Sequence, residues 1–166
     1  MKDFFYKRSV PIHLEIKDEL IRAINSTPQL YIDEYNGNFY TDYVVSNILV
    51  RDYAHIVNPI LSEHIDAFKM HCGFKEMSLV SAWFQKYPVG GFHPEHVHPE
   101  SHFTNIYYVK LENKSCVTTV LNPLDKSKIE IEINEGDILT FPAFYPHSSP
   151  VADSEKIIVA FNTNVI

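Results

Sequence analysis

The second half of the chain is a series of short runs of β-branched and aromatic residues, separated by only a few turn-forming residues. Antiparallel strands can follow one another through such short turns, whereas parallel strands need a crossover of a dozen or more residues, usually a helix. The spacing therefore predicts a mainly antiparallel β fold, a sandwich or jelly roll, with the helices packed outside it. The predicted strands are Ser78–Tyr87, Phe103–Leu111, Cys116–Leu121, Lys128–Ile133, Asp137–Phe141 and Lys156–Val165.

The clearest of these strands contains the segment 129–133, in which isoleucine and glutamate alternate strictly. Successive side chains of a strand point to opposite faces, so this alternation is typical of an antiparallel strand with one face in water. The turn-forming residues Asn134 to Asp137 follow and predict a tight connection to the next strand.

Two helices are predicted, both in the first half of the chain. The first covers His13 to Ser26 and ends at a Ser-Thr-Pro sequence. Its predicted inward stripe is Leu14, Leu20, Ile21 and Ile24. The second begins with Asn58 as its N-cap and Pro59 in its first turn, and it ends at Gly73. Its predicted inward residues are Leu61, Ile65 and Phe68.

A chain of 166 residues can bury roughly 70% of the surface that its unfolded form exposes, which is enough for one stable domain. We therefore expect a single domain over residues 1–166, in which a helix-containing segment, 1–77, supports a jelly-roll core, 78–165. Cys72 and Cys116 form no CxxC pair. This fits a reducing compartment and argues against a disulfide framework.

The charge and hydropathy of the chain exclude several classes of partner. A net charge of −7 disfavours a nucleic-acid surface, because such a surface needs clustered lysine and arginine to neutralise phosphates. The N-terminal residues are too charged for a signal peptide, and no apolar run approaches the ~20 residues of a membrane span. We therefore expect a cytoplasmic protein without nucleic-acid or membrane partners.

Two histidines in the segment 90–99 have the spacing of metal ligands. His96 and His98 alternate with Val97, so on an extended chain they point the same way, about 6 to 7 Å apart. An isolated pair of this kind is more often surface decoration, but this one follows two glycines and is bracketed by prolines, as at a strand edge. His147 has a similar setting before Pro150. Three imidazoles on one ion would leave coordination positions open for catalysis.

Neighbouring residues are weaker candidates. Glu95 and Glu100 flank the pair, and either could replace one imidazole. His93 has the opposite parity to His96, so we expect it outside the ligand set, in a supporting or exposed position. Trp83 is interpreted as core packing rather than as a substrate platform.

Several short motifs occur in order between Ser78 and Asn162, about half of the chain. They are Ser81-Ala82-Trp83, Tyr87-Pro88, Gly91, His96-x-His98-Pro99, Ser101, Ile106-Tyr107-Tyr108-Val109, Gly136-Asp137-Ile138-Leu139, Phe141-Pro142, His147 and Lys156-Ile157 to Phe161-Asn162. Their order and spacing resemble the Fe(II)/2-oxoglutarate-dependent oxygenases, in particular a small bacterial and phage-type branch related to the prolyl hydroxylases. The resemblance implies a double-stranded β-helix, a cupin-like jelly roll, that uses Fe(II), 2-oxoglutarate and O2 to hydroxylate a substrate.

The resemblance also assigns roles to individual residues. His96, His98 and His147 would hold the iron, with His98 where the wider superfamily carries Asp or Glu. Lys156, nine residues beyond His147, would bind the far carboxylate of 2-oxoglutarate, where the family pattern normally carries arginine. Tyr87 matches a tyrosine that assists this carboxylate, although a core aromatic is an equally good interpretation.

These departures keep other functions open. Three-histidine iron sites occur in the thiol dioxygenases of the cupin superfamily, which use no 2-oxoglutarate, so a metal dioxygenase without cosubstrate is one alternative. A non-catalytic metal- or ligand-binding jelly roll is another, because a fold does not determine an activity. The sequence leaves the substrate, a small molecule or a peptide, unidentified, and it leaves homo-oligomerisation open.

Overall fold

The computed structural model describes residues 4–33, 36–43, 45 and 51–166. This part of the chain holds two α-helices, α1 (His13–Ser26) and α2 (Ala54–Cys72), and a short 3-10 helix, Lys114–Cys116. Its strands are β1 (Tyr6–Ser9), β2 (Leu30–Ile32), β3 (Phe39–Thr41), β4 (Met77–Tyr87), β5 (His93–His96), β6 (Phe103–Leu111), β7 (Thr119–Val120), β8 (Asp137–Pro142), β9 (His147–Ser149) and β10 (Lys156–Val165).

The strands form two sheets, and every pairing between them is antiparallel. The larger sheet has seven strands in the order β1-β8-β6-β10-β4-β3-β2, and the smaller has three in the order β5-β9-β7. The prediction of a mainly β, antiparallel fold with helices in the first half is thus confirmed. No helix in the described part of the chain has the length and apolar character needed to span a membrane.

The alternation along β10 determines which side chains face the smaller sheet. Ile157, Val159 and Phe161 pack with the helices in one apolar cluster. Ile158 packs on the opposite face, in a second cluster that includes Val120 of the smaller sheet. Because parity is preserved along the strand, Lys156 also belongs to the face between the two sheets.

The helix predictions are correct in type but need two corrections. Helix α1 has the predicted bounds, yet Leu14 is 84% exposed, whereas His13 and Leu20 are buried. At 3.6 residues per turn, Leu14 lies about a third of a turn away from Leu20, so it cannot share its face. Helix α2 begins at Ala54 rather than after Asn58, and Pro59 lies inside it.

The early start of α2 has a packing reason. The extra first turn buries Val57, and Tyr53, which precedes the helix, is also buried. This burial outweighs the hydrogen bond that Pro59 cannot donate to the carbonyl of His55. Helix α2 ends where predicted, because Gly73 adopts a left-handed conformation with φ of 72°.

The prediction of a strand over Lys128–Ile133 is wrong, because this segment forms no continuous hydrogen-bonded pairing with any of the described strands. Lys128 forms a single bridge to Leu121, and the Ile129 N–H donates to the Val120 carbonyl at 2.9 Å, but no strand continues from there. The isoleucines still turn inward and the glutamates outward, with Ile133 fully buried. An extended segment can satisfy this alternation without a hydrogen-bonded partner, so the pattern predicts the facing of side chains rather than the pairing.

The predicted strand Cys116–Leu121 is shorter in the structure, where only Thr119–Val120 forms β7. Cys116 instead ends the 3-10 helix, at whose start the Asn113 side chain accepts a hydrogen bond from the Ser115 N–H. The local cap competes with strand pairing for these backbone groups.

Candidate metal centre

The three predicted histidines converge between the sheets. His96 ends β5 and lies opposite His147, the first residue of β9, while His98 follows two residues later. Their ring centroids are 4.3 Å apart for His96 and His147, 5.1 Å for His96 and His98, and 5.2 Å for His98 and His147. One nitrogen of each ring lies within 4.8 Å of the others.

Backbone hydrogen bonds fix the tautomer of two of these rings. Nδ1 of His96 lies 2.8 Å from the Pro94 carbonyl oxygen, and Nδ1 of His147 lies 3.0 Å from that of Tyr145. A carbonyl oxygen only accepts, so both rings carry a proton on Nδ1 and a lone pair on Nε2. Such a partner on the second nitrogen orients histidines that ligate metals.

The rings are neutral at physiological pH. Burial lowers the pKa of His147 to about 3 and, together with the neighbouring His96, that of His98 to about 4. Burial also lowers the pKa of His96. Neutral imidazole is the form that binds a metal ion, so the set is prepared to accept one.

No carboxylate joins this group within the described residues. Glu95 and Glu100 are both exposed, and Glu95 forms an ion pair with Lys126 at 3.2 Å. The donor set is therefore three imidazole nitrogens, which suits zinc, copper, nickel or iron and disfavours magnesium or calcium.

His93 lies in the same cavity, contrary to the parity argument. Its ring centroid is 4.0 Å from that of His96, although it is not one of the three clustered ligands. The register of β5 against β9 shifts between His93 and His96, which is a β-bulge. A bulge adds a residue and reverses the alternation, so both rings turn inward.

Lys156 is fully buried among neutral groups. Its Nζ donates hydrogen bonds to the Cys116 carbonyl oxygen at 2.8 Å and to the Ser149 hydroxyl. It also lies 4.4 Å from the centroid of the Tyr87 ring. Burial lowers the pKa of Lys156 to about 7, and no described acidic side chain pairs with it.

Tyr87 lies opposite Lys156 in the pairing of β4 with β10. Its hydroxyl donates a hydrogen bond to Gln85 Oε1 at 2.8 Å, and burial raises its pKa. Gln85 in turn places Nε2 at 3.4 Å from His93 Nδ1. The tyrosine is thus both buried in the core and part of a polar chain beside the histidines.

The four histidines of this region, Gln85 and Tyr87 line one cavity of about 330 Å³. Ser149 also lines it, and Lys156 lies beside it, behind Tyr87 and Ser149. Trp83 also lines it, with its ring centroid 5.7 Å from that of His98, and it forms an edge contact with the exposed Tyr43. Trp83 is as buried as the packing interpretation requires, but it also forms part of the cavity wall.

Sequence reasoning missed His93, Gln85, Ser149 and Thr118 as cavity residues. The position of Ser149 could have been predicted from His147, because residues two apart on a strand share a face. Gln85 occurs in no motif, although it shares its strand face with Tyr87, two residues further on. Thr118 also occurs in no motif, and only the packing of the two sheets brings it to the cavity.

Comparison with known proteins gives structural neighbours but no sequence match. No family model matches the chain, and no curated protein matches it. A 2OG-Fe(II) oxygenase family oxidoreductase from Burkholderia pseudomallei superposes with a TM-score of 0.78 at 10% identity, over 97% of this chain and 85% of that chain.

Two prolyl hydroxylases also superpose on the chain. For a prolyl-4-hydroxylase from Pseudomonas putida the TM-score is 0.65 at 12% identity, covering 97% of this chain and 92% of that chain. For a prolyl hydroxylase from Trichoplax adhaerens it is 0.69 at 15% identity, covering 96% and 83%. These likenesses show the fold. The fold and the three-histidine group together fit the oxygenase family that the sequence resembles.

Proposed function

We propose that the protein is an Fe(II)- and 2-oxoglutarate-dependent oxygenase that hydroxylates an as yet unidentified small molecule or peptide. One observation carries the proposal: a buried lysine with no anionic partner among the described residues lies beside a cavity that also holds three neutral, converging imidazoles. A dicarboxylate that ligates a metal with one end has its other carboxylate available for such a cation.

His96, His98 and His147 would hold the iron through one nitrogen each, and the carbonyls that fix two of the rings would keep them in place without metal. Fe(II), together with 2-oxoglutarate and dioxygen, supplies the oxidising chemistry, with succinate and carbon dioxide as the by-products. The residues of the chain would bind and orient 2-oxoglutarate and the substrate, and they would exclude water from the metal.

Lys156 would form an ion pair with the far carboxylate of 2-oxoglutarate. An ammonium group has three N–H donors, of which two bind the Cys116 carbonyl and the Ser149 hydroxyl. A carboxylate beside the third would favour the charged form that burial opposes. Tyr87 and Ser149 would form the walls of this end of the cavity.

The opposite end of the cavity would take the substrate. Trp83 and Tyr43 lie on the His98 side of the group, away from Lys156. Among the described residues, histidine is the only titratable type besides tyrosine that lines the cavity, and no Asp, Glu, Lys or Arg does. The part of the substrate next to the metal would therefore be uncharged, because nothing there compensates a buried charge.

We further infer that the two sheets form a double-stranded β-helix and that residues 1–166 are one oxygenase domain. The supporting observations are the antiparallel sheets and the superposition on solved oxygenases. Helices α1 and α2 would support the larger sheet from outside, where they share an apolar cluster with it.

No carboxylate of the described residues joins the three-histidine group, which favours a second candidate, a three-histidine dioxygenase that uses no cosubstrate. One experiment separates the two. The protein is loaded with one equivalent of Fe(II) without oxygen, and its absorption spectrum is recorded with and without 2-oxoglutarate. A new charge-transfer band and succinate formation on admitting oxygen support the proposal. Full metal content with no response to millimolar 2-oxoglutarate supports the alternative.

A further inference from the structure

A hydrogen-bonded chain of three side chains leads from the lysine end of the cavity to the fourth histidine. Tyr87, which is 1% exposed, donates its hydroxyl proton to Gln85 Oε1 at 2.8 Å. The amide Nε2 of Gln85 then lies 3.4 Å from His93 Nδ1. Gln85 is itself only 7% exposed.

The orientation of the Gln85 amide, with Oε1 on Tyr87 and Nε2 on His93, sets the direction of these hydrogen bonds. Because the tyrosine proton binds the amide oxygen, the amide nitrogen faces His93, and an amide nitrogen only donates. His93 Nδ1 must therefore accept, which leaves the proton of the neutral ring on Nε2. His96 and His147 have the opposite tautomer, because their Nδ1 atoms donate to carbonyls.

This tautomer makes His93 unlike its neighbours in chemistry. It is not one of the three histidines whose nitrogens cluster, and its Nδ1 lone pair is already used by Gln85. No hydrogen bond within the described part of the chain engages its Nε2. The cavity therefore combines three nitrogens that can accept a metal with one ring that can donate a proton in a hydrogen bond.

The position of His93 indicates what it donates to. It lies opposite Ser149 in the pairing of β5 with β9, one step along from the pair His96 and His147. Ser149 accepts a hydrogen bond from Lys156. His93 thus lies on the lysine side of the three-histidine group, where the proposed function places the acid rather than the substrate.

We propose that His93 binds the 2-oxo acid by donating an Nε2–H hydrogen bond to one of its oxygen atoms, and that Gln85 is the positioning residue that fixes this tautomer. This inference rests on the proposed function for the identity of the acid. A hydrogen bond from a neutral donor to a carboxylate is among the stronger ones in proteins, and it is stronger in a water-poor cavity.

The first test reads the tautomer without metal or acid. Nitrogen NMR of the metal-free protein with 15N-labelled histidine should show His93 protonated at Nε2, with His96 and His147 protonated at Nδ1. The His93→Phe variant assigns the signal. In Gln85→Met the signal should move towards a mixture of the two tautomers. A wild-type His93 protonated at Nδ1 would overturn the proposal.

The second test measures 2-oxoglutarate binding by calorimetry to the Mn(II)-loaded protein without oxygen. We expect His93→Phe to weaken binding about 10- to 100-fold and Gln85→Met by less, with one equivalent of metal retained in both. His93→Asn, which keeps a donor, should recover part of the loss. His55→Phe, at an exposed position on α2, is the matched control and should bind like wild type.

The outcomes distinguish the proposed function from the role of His93. If wild type holds manganese but does not bind 2-oxoglutarate, both the proposed function and this inference fail. If wild type binds the acid and His93→Phe binds it equally well, only the inference fails. Loss of manganese in His93→Phe would also overturn it, because His93 would then be a metal ligand.

Discussion

His96 and His147 face each other across β5 and β9, and each ring donates its Nδ1 proton to the carbonyl of the residue two positions earlier, Pro94 and Tyr145. The same local hydrogen bond thus orients both rings. Because each partner lies in the ring's own strand or turn, the orientation needs no metal. Preorganised ligands lose little conformational entropy when the ion binds, which favours affinity.

Metal binding should be visible in the fluorescence of Trp83, the only tryptophan in the chain. Its ring lies 5.7 Å from that of His98, so one equivalent of Co(II) should quench its emission. Replacing His147 by alanine should weaken this titration by more than the 10- to 100-fold that loss of an outer-shell partner costs. His55→Ala should titrate like wild type. Equal quenching in His147→Ala would refute the assignment.

The metal should survive at a pH lower than ordinary histidine would allow. Protons compete with the metal ion for the imidazole nitrogens, and they do so effectively only near or below the pKa of each ring. Burial lowers the pKa of His98 to about 4 and that of His147 to about 3. We therefore expect full occupancy at a pH of about 5.5 and release only as the pH falls towards 4. Metal analysis after dialysis across this range measures it. The His98→Asp variant should retain metal to lower pH still, and release of wild-type metal near pH 6.5 would contradict the prediction.

Binding of 2-oxoglutarate should weaken as the pH rises. The acid needs the charged form of Lys156, whose pKa in the free protein is lowered by burial to about 7. Below that pH the ammonium is already present, whereas above it each bound acid must draw in a proton. Affinity should then fall by about tenfold per pH unit until the pKa of the bound state is reached. Calorimetry of the Mn(II) protein from pH 6.5 to 8.5 tests this, and a constant affinity would contradict it.

Lys156→Met should make the protein more stable and less able to bind the acid. The folded-state pKa of about 7 lies below the ordinary value of 10.5, so between these limits the unfolded chain binds more protons and the stability of wild type rises with pH. Below about pH 7 the full cost of burying the cation remains. We expect the variant to gain on the order of 2 to 4 kcal/mol at pH 6, with a smaller gain near pH 10.

Urea unfolding of the metal-free proteins at pH 6 and 9.5 measures both differences. A variant that is no more stable than wild type at pH 6 would mean that the buried ammonium has an anionic partner in solution. The matched substitution Lys110→Met, at a partly exposed lysine paired with Glu155, should show no such pH-dependent gain.

The sequence predicted those parts of the site that depend on period and order. Alternation predicted that His96 and His98 point the same way, and the structure brings both rings together with His147. The order of the motifs pointed to Lys156, which is buried beside the cavity. His93 was misplaced because a one-residue bulge between His93 and His96 reverses parity, and Pro94 is the sequence signal that could have indicated it. Gln85 shares the strand face of Tyr87, but its contact with His93 arises only when the two sheets pack.

The same distinction applies to the fold. Long strands such as Phe103–Leu111 and Lys156–Val165 were predicted with their observed bounds, since their apolar runs are bounded by turn residues. The three-residue strands β2, β3 and β9 were missed, because so short a segment carries too few alternations to be recognised. Pairing in these strands comes from their neighbours rather than from their own residues.

The two halves of the site belong to different layers of the protein. His96 and His147 are on the smaller sheet, whereas Lys156 is on the larger one. An ion alone would therefore stabilise only the pairing of β5 with β9. A dicarboxylate bound both to the ion and to Lys156 would connect the smaller sheet to the larger one. Hydrogen exchange should then slow modestly in β5 and β9 with metal and, once the acid is added, across β4 and β10 as well.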